Sequence, residues 1–335
     1  MKKLLTLLLV FTLACSALVG CNQPEDETVI RIGYMQGPTG MGMAKLIHDN
    51  GGTLGNEKYQ FVKFEDAQKA TAAILEGSID MACLPTNNAS VVYNTKDAAV
   101  RVLALNCLNS LFVLTKSGTE ITDFDDLEGK TIYTISNGTP KAILEYLLEA
   151  KGVNATVQTV AVVNGNDKTL AQPSDLASAM IAGAVDIALV PEPVATAAPL
   201  KVASMNKDYS YSVALDLAEV FSEISDSPIA MGCIVGSSNF VNDHKSVVDA
   251  FLAEYKSSVE FVANAENRDA AAEYIVEAGV LDAAQPAKKS LANLGASIAY
   301  KDGDEMKNIL VDFYSKINKS LIGGKLPDED FYYKK

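Results

Sequence analysis

The chain contains no tryptophan and only two histidines, His48 and His244. Its five cysteines, at positions 15, 21, 83, 107 and 233, form no Cys-x-x-Cys pair and no Cys–His ligand spacing. These absences argue against a structural zinc site, and no metal or cofactor is expected. Basic patches are missing too: 28 Lys and Arg stand against 42 Asp and Glu, a net charge of −14. A nucleic-acid binder needs a basic footprint, so no nucleic-acid partner is expected. No Gly-x-Ser-x-Gly elbow, Walker loop or dinucleotide fingerprint occurs in usable context. Beyond residue 20, no apolar run is long enough to cross a membrane.

What is present is ordinary globular composition, 48% hydrophobic over 335 residues, enough for two domains with real cores. Residues 1–20 read as a targeting segment, with Lys2 and Lys3 ahead of the apolar run Leu4 to Leu13. Leu18-Val19-Gly20-Cys21 matches a bacterial lipobox, in which Cys21 is diacylated and becomes the first residue. Cys15 fits that pattern less well, and the competing reading is a plain secretory signal. Residues 21–28 form a polar tether without apolar period. Cys83, Cys107 and Cys233 lie in apolar, strand-like runs and read as buried small hydrophobes.

From Val29 the chain alternates strand and helix patterns, which predicts α/β architecture with a largely parallel sheet. Strands are expected at 29–34, 59–64, 79–84, 100–105 and 111–115, and a second series at 131–135, 157–163 and 185–190. The two series echo each other. Each has a strand leading to a turn rich in Gly, Pro and Thr, then a helix. Each has a later Gly, an Asp-containing strand and a proline: Gly77-Ser78-Ile79-Asp80 before Pro85, and Gly183-Ala184-Val185-Asp186 before Pro191. Two similar α/β lobes in tandem follow, with ligand-facing loops at the carboxyl ends of their strands. One more strand is expected at 229–237, then a region that is almost all helical. The chain can cross between lobes near 106–112 and near 227–236, and two crossings make a hinge.

The stretch Gly37-Pro38-Thr39-Gly40-Met41-Gly42 stands between the first strand and the first helix. A strand, a glycine-rich turn and a helix leave backbone N–H groups at the helix start. Glycine lets a ligand approach them, and the helix dipole favours an anionic or electron-rich group. The plainer reading is a tight turn without a ligand.

With the lipobox, Gly37–Gly42, Leu75-Glu76-Gly77-Ser78-Ile79-Asp80, Ala182–Ala188, Pro191-Glu192-Pro193 and the ending Ile322–Tyr333, the chain resembles a substrate-binding lipoprotein of an ABC importer. It resembles the type 2 periplasmic-binding-protein-like group and, more narrowly, the branch for nitrate, sulfonate, taurine and thiamine precursors. The resemblance implies two similar α/β lobes joined by a two-crossing hinge, with a helical C-terminal region. Lobe 1 would take residues 29–110, lobe 2 residues 111–228, and the return crossing and C-terminal helices of 229–335 would pack on lobe 1. It implies a small-molecule ligand, an ABC permease with its ATPase as partners, and a monomer held by lipid on the outer face of the cell membrane. Carried over by position, the contact candidates from lobe 1 are Gly37, Pro38, Thr39, Gly40, Met41, Gly42, Thr86, Asn87 and Asn88. From lobe 2 they are Asn137, Gly138, Thr139 and Glu192, with Asn106 and Ser110 near the first crossing.

Duller readings stand beside these. Asn87 and Asn88 could cap a helix at 89–93, Asn137-Gly138 could be only a turn, and Glu192 could pair with a surface lysine. A Glu192 facing the cleft would favour N–H donors or positive charge, which suits a zwitterion or heterocycle better than nitrate or a simple sulfonate. Ring stacking would fall to Tyr34, Tyr93 or Tyr133. The rival functions are an enzyme of the same fold, resembling the pyrimidine synthases or the futalosine-pathway group, and a lipoprotein that feeds a sensor. The scattered cysteines, a surface His48 and the lipobox favour a binder over an enzyme.

Overall fold

The structure, a computed structural model, describes residues 28–136 and 138–335. The targeting segment, Cys21, all of the tether but Thr28, and Asn137 lie outside those residues.

Two mixed sheets organise the fold. In chain order the strands are β1 Ile30–Met35, β2 Tyr59–Phe64, β3 Met81–Pro85, β4 Val100–Leu108, β5 Leu111–Lys116, β6 Thr131–Tyr133 and β7 Thr156–Gln158. They continue with β8 Val160–Val163, β9 Asn166–Thr169, β10 Ile187–Pro191, β11 Tyr211–Asp216, β12 Ala230–Ser237 and β13 Ile298–Lys301. The first sheet runs β13-β4-β12-β3-β1-β2 and the second β11-β5-β10-β6-β7, with β8 and β9 as a separate hairpin. The largely parallel sheet expected from sequence is only half right. β2, β1 and β3 are parallel, as are β7, β6 and β10. β12 pairs antiparallel with β3, and β5 pairs antiparallel with β10. Both antiparallel strands belong to segments that have just crossed from the other sheet, so they enter in the opposite direction. The strand predicted at 157–163 is split, because Thr159 separates β7 from β8, and β8 turns back through Asn164-Gly165 into β9. Both turn residues have positive φ (51° and 80°), as a type I′ hairpin requires.

The helices are α1 Pro38–Met41, α2 Ala44–Asp49, α3 Ala67–Leu75, α4 Thr86–Thr95, α5 Thr139–Lys151, α6 Pro173–Ile181 and α7 Val194–Ser204. After them come α8 Leu217–Ser222, α9 Ser238–Asp243, α10 Lys245–Ala263, α11 Arg268–Glu277, α12 Ala284–Leu294 and α13 Gly303–Lys316. Asp66 starts α3 by accepting from the Lys69 amide at 2.8 Å, a side-chain cap of the usual kind. No described helix is long and apolar enough to cross a membrane.

Each sheet is covered on both faces. One apolar cluster lies under α2, α10 and α11, with Tyr255, Phe251 and Ile275 at its centre. A second lies under α6 and α7 on the other sheet, around Leu176, Met180 and Val190. The largest cluster runs without a break from Val102 and Leu105 through Leu108, Leu111 and Ile229 to Leu144 and Phe221. The crossings therefore pass through packed apolar side chains. They are also tied to one another: the Asn109 amide donates to the Ile229 carbonyl at 2.9 Å, and Asn109 Oδ1 accepts from the Ile229 amide at 2.8 Å. Asn109 does this at φ 43°, a left-handed conformation that asparagine tolerates better than most residues. The architecture is two α/β lobes joined by paired crossings.

Candidate functional site

The nominated residues sit at strand ends that face one another across the two sheets. β1 ends at Met35, and the chain turns through Gly37 into α1. Gly37 has φ 97° and ψ −174°, while Gly138, ahead of α5, has φ 96° and ψ −168°. Only glycine occupies that region readily. Both lobes thus enter their first helix from the same turn, followed by a proline at Pro38 or Pro140. Neither helix takes a side-chain cap. The echo between the two series is real at the level of backbone geometry.

The six-residue turn does not present itself whole. Pro38 and Thr39 are half-buried, but Gly37, Gly40, Met41 and Gly42 are buried. Gly40 packs against the Met35 carbonyl and Val280, and Gly42 against Val259. Asn137 lies outside the described residues.

At the end of β3, α4 begins at Thr86 and not at Ala89, so Asn87 and Asn88 stand in its first turn and cap nothing. The Thr86 hydroxyl is spent inside the lobe, donating to the Ala230 carbonyl at 2.6 Å. Asn88 Oδ1 accepts from Thr71 at 2.9 Å, beside α3. Asn87 reaches across to lobe 2, where its Oδ1 accepts from the Thr139 hydroxyl at 3.2 Å. Asn106 lies inside β4 and is fully buried, donating to Tyr255 at 2.8 Å and to the Thr39 carbonyl at 3.2 Å. Ser110, also buried, offers its carbonyl to the Glu192 amide at 3.1 Å.

Glu192 departs furthest from the surface-lysine reading. It is wholly buried, and its Oε1 accepts from Thr196 at 2.8 Å and from Asn293 at 2.9 Å. Its Oε2 accepts from Ser290 at 3.1 Å. Ser290 and Asn293 come from α12, whose Ala287, Leu291 and Leu294 are rooted in the lobe 1 core. A lobe 2 carboxylate is therefore held by a lobe 1 helix. Burial pushes the Glu192 carboxyl above its ordinary value, and the three hydrogen bonds pull it partway back. Ser290 and Asn293 were missed from sequence, although Ser290 interrupts an apolar stripe on α12.

Other residues weighed from sequence are committed elsewhere. Tyr34 is buried and donates to the Ala278 carbonyl at 2.8 Å, and Tyr93 packs on Phe331, so neither presents a ring face to a ligand. Tyr133 is half-buried at the end of β6. His48 stacks on Tyr274 at 3.8 Å and meets Glu277 at 2.7 Å on the surface. Cys83, Cys107 and Cys233 are buried free thiols, and burial pushes Cys83 and Cys107 up to about 12. Among the described residues, no three His, Cys, Asp or Glu are grouped to hold a metal ion. A hollow of about 330 Å³ bounded by Arg101, Lys245 and Glu329 contains none of the nominated residues.

Against this geometry the sequence can be compared with known proteins. The family described as NMT1/THI5 like matches residues 98–268, just over half of the chain. The chain belongs to this family. An NMT1/THI5-like protein folded in this way is similar to an ABC transporter structure from Parabacteroides distasonis. The two are 20% identical with a TM-score of 0.73, over 92% of this chain and 99% of that one. It is also similar to the periplasmic aliphatic sulphonate binding protein SsuA from Escherichia coli: 16% identity, TM-score 0.64, 86% of this chain and 85% of that one. The periplasmic nitrate-binding protein NrtA from Synechocystis PCC 6803 is a more distant neighbour, at 14% identity and TM-score 0.56, over 83% and 74% of the two chains. A search of curated proteins finds no match. The shared architecture is the type 2 periplasmic-binding-protein fold.

Proposed function

We propose that this NMT1/THI5-like protein is an extracytoplasmic solute-binding protein that captures a small organic solute between its lobes and delivers it to an ABC permease and its ATPase. The observation that carries this reading is the convergence of strand-end turns from both lobes on one seam. Thr139 of lobe 2 meets Asn87 of lobe 1 there at 3.2 Å, and Glu192 of lobe 2 meets Ser290 and Asn293 of α12 at 3.1 and 2.9 Å. Structural neighbours whose names state sulphonate or nitrate binding support it. We take the lobe boundaries as 29–110 and 229–335 for lobe 1 and 111–228 for lobe 2, in keeping with sheet membership. Pro38, Thr39, Asn87, Asn106, Ser110, Gly138, Thr139 and the undescribed Asn137 are the contact residues of this proposal. The protein acts as a monomer, without a cofactor and without catalysis. Its buried thiols and surface His48 are poorly placed for nucleophilic or acid–base work.

We further propose that Cys21 carries the lipid that holds the protein at the outer face of the cell membrane. Cys21→Ser should move the protein from the membrane fraction to the medium or periplasm. An unchanged membrane fraction overturns the anchor. For the binding function, the test is a thermal-shift screen of residues 22–335 against pyrimidines, thiamine precursors, sulfonates, taurine and nitrate. A solute at a hundred times its dissociation constant adds about 2.7 kcal/mol, visible as a raised Tm. Turnover of a panel member, followed by mass spectrometry, overturns the binder and reopens the enzyme.

A further inference from the structure

We propose that the amide oxygen of Asn106 accepts a hydrogen bond from the bound solute, so that the solute carries an N–H or O–H donor at that point. The inference rests on the cleft function above and adds a chemical class to it.

Asn106 is fully buried in β4, two residues before the strand ends. Its Nδ2 donates to the Thr39 carbonyl at 3.2 Å and to the Tyr255 hydroxyl at 2.8 Å. An amide nitrogen has two protons, so both are spent. The Thr39 contact also fixes which end of the amide is which, since the opposite orientation would set oxygen against a carbonyl oxygen. The Tyr255 hydroxyl, 3.7 Å from Cys83 Sγ, is spent as well.

The oxygen end is different. Asn106 Oδ1 is buried and has no hydrogen-bond partner, and the hydroxyl of Ser110 shares that condition at the other end of the crossing. Native proteins rarely leave buried polar atoms unpaired, and each exception calls for an explanation, of which a bound partner is one. Oδ1 stands beside the binding turn: a β-carbon at Gly232 would meet Asn106 Oδ1 at 2.6 Å and Thr39 Cγ2 at 2.3 Å. The oxygen and the Thr39 methyl group thus both lie against Gly232, and Thr39 is half-buried.

The neighbouring polar groups are already satisfied within the protein. Thr86 donates to Ala230, Thr139 donates to Asn87, and Glu192 is filled by Thr196, Ser290 and Asn293. What remains for a solute is an acceptor at Asn106, a hydroxyl at Ser110, and the uncapped amides at the start of α5. Those amides suit an oxygen-rich or anionic end. Asn106 suits an amino, amide or hydroxyl group. An aminosulfonate, a zwitterion or an amino-substituted heterocycle supplies both ends, whereas ionised nitrate or a plain alkanesulfonate has no proton to donate.

Titration calorimetry of residues 22–335 with nitrate and with matched probes tests this: taurine against ethanesulfonate, β-alanine against propionate, and 4-aminopyrimidine against pyrimidine. The expected result is that an amino-bearing probe binds, and its amine-free partner binds more weakly by roughly 5- to 150-fold, the cost of an unpaired buried acceptor. In Asn106→Leu that ratio should fall close to one. Equal binding within a pair, or binding only of ethanesulfonate, propionate or nitrate, overturns the donor requirement and leaves the cleft function standing. A ratio unchanged in Asn106→Leu also overturns it, because the preference then arises elsewhere. Silence from every probe, nitrate included, overturns both. Should Asn106→Leu fail to fold, the wild-type ratios decide alone.

Discussion

Glu192 of lobe 2, itself fully buried, shares a 2.9 Å hydrogen bond with Asn293 on the outer face of a lobe 1 helix, although the two residues are 101 positions apart. Ser290 adds a second bond from the same helix at 3.1 Å. The side chain that sequence offers as a ligand contact is thus occupied by the protein itself. The lobes are held together next to the seam without a solute.

Removing this carboxylate should be costly and replacing it with an amide mild. Glu192→Ala leaves Asn293, Ser290 and Thr196 without their acceptor and should destabilise by about 2 kcal/mol. Glu192→Gln keeps an acceptor for Asn293. Burial raises the Glu192 carboxyl above 4.5, so the folded state resists its ionisation. That contribution to stability is complete below pH 4.5 and is lost as pH rises through the raised value. The Tm of Glu192→Gln relative to wild type should therefore climb between acid and neutral pH. A pH-independent difference would mean that the carboxyl ionises as freely folded as unfolded.

The twin turns make a second prediction. Gly37 and Gly138 share φ near 97° with extended ψ, and neither would crowd a β-carbon: nothing lies within 4 Å at Gly37, and the nearest atom at Gly138 is 3.9 Å away. Alanine at either site should cost about 1–3 kcal/mol through backbone strain alone. Urea midpoints measure this, and a neutral Gly37→Ala would show that the turn relaxes to another conformation.

Gly232 is a case of contact instead. Alanine there would press on Thr39 Cγ2 at 2.3 Å and on Asn106 Oδ1 at 2.6 Å. Gly232→Ala should cost about 1–3 kcal/mol as an overpacked site. Thr39→Ser removes the closer carbon and should return part of that loss. A double-mutant cycle should show coupling of at least about 0.5 kcal/mol. Simple additivity would place the strain elsewhere.

The thiols give a chemical check. Cys83, Cys107 and Cys233 are all buried, and burial holds Cys83 and Cys107 near 12. Iodoacetamide at pH 8 should leave native residues 22–335 unlabelled and modify all three thiols after denaturation. Rapid labelling of the native protein would point to an opening that exposes the sheet.

Much of the fold was legible from residue order. The strand at 59–64, the helix stop at Gly77 and the two echoing series are read from local apolar period and turn chemistry, and all of them stand. Other elements were not visible. α7, β11 and β13 were missed, because tertiary neighbours and not local pattern define them: Ala195 and Ala198 on α7, for instance, are buried only once α6 and the second sheet are in place. The hairpin at Asn164-Gly165 does carry a local signal, since Asn-Gly favours the two positive φ values found there.

By itself the sequence determined the α/β class, the tandem lobes and the glycine turns, since each follows from neighbours within a few positions along the chain. Glu192, Asn106 and Ser110 were nominated by position through the resemblance, and position alone goes no further. Whether a polar side chain is spent or open depends on partners far away in the chain: Asn293 for Glu192, Tyr255 for Asn106. A hydrogen bond is decided by distances of a few tenths of an ångström between such groups. Only the tertiary packing sets those distances. It closed Glu192 onto α12 and left Asn106 Oδ1 without a partner.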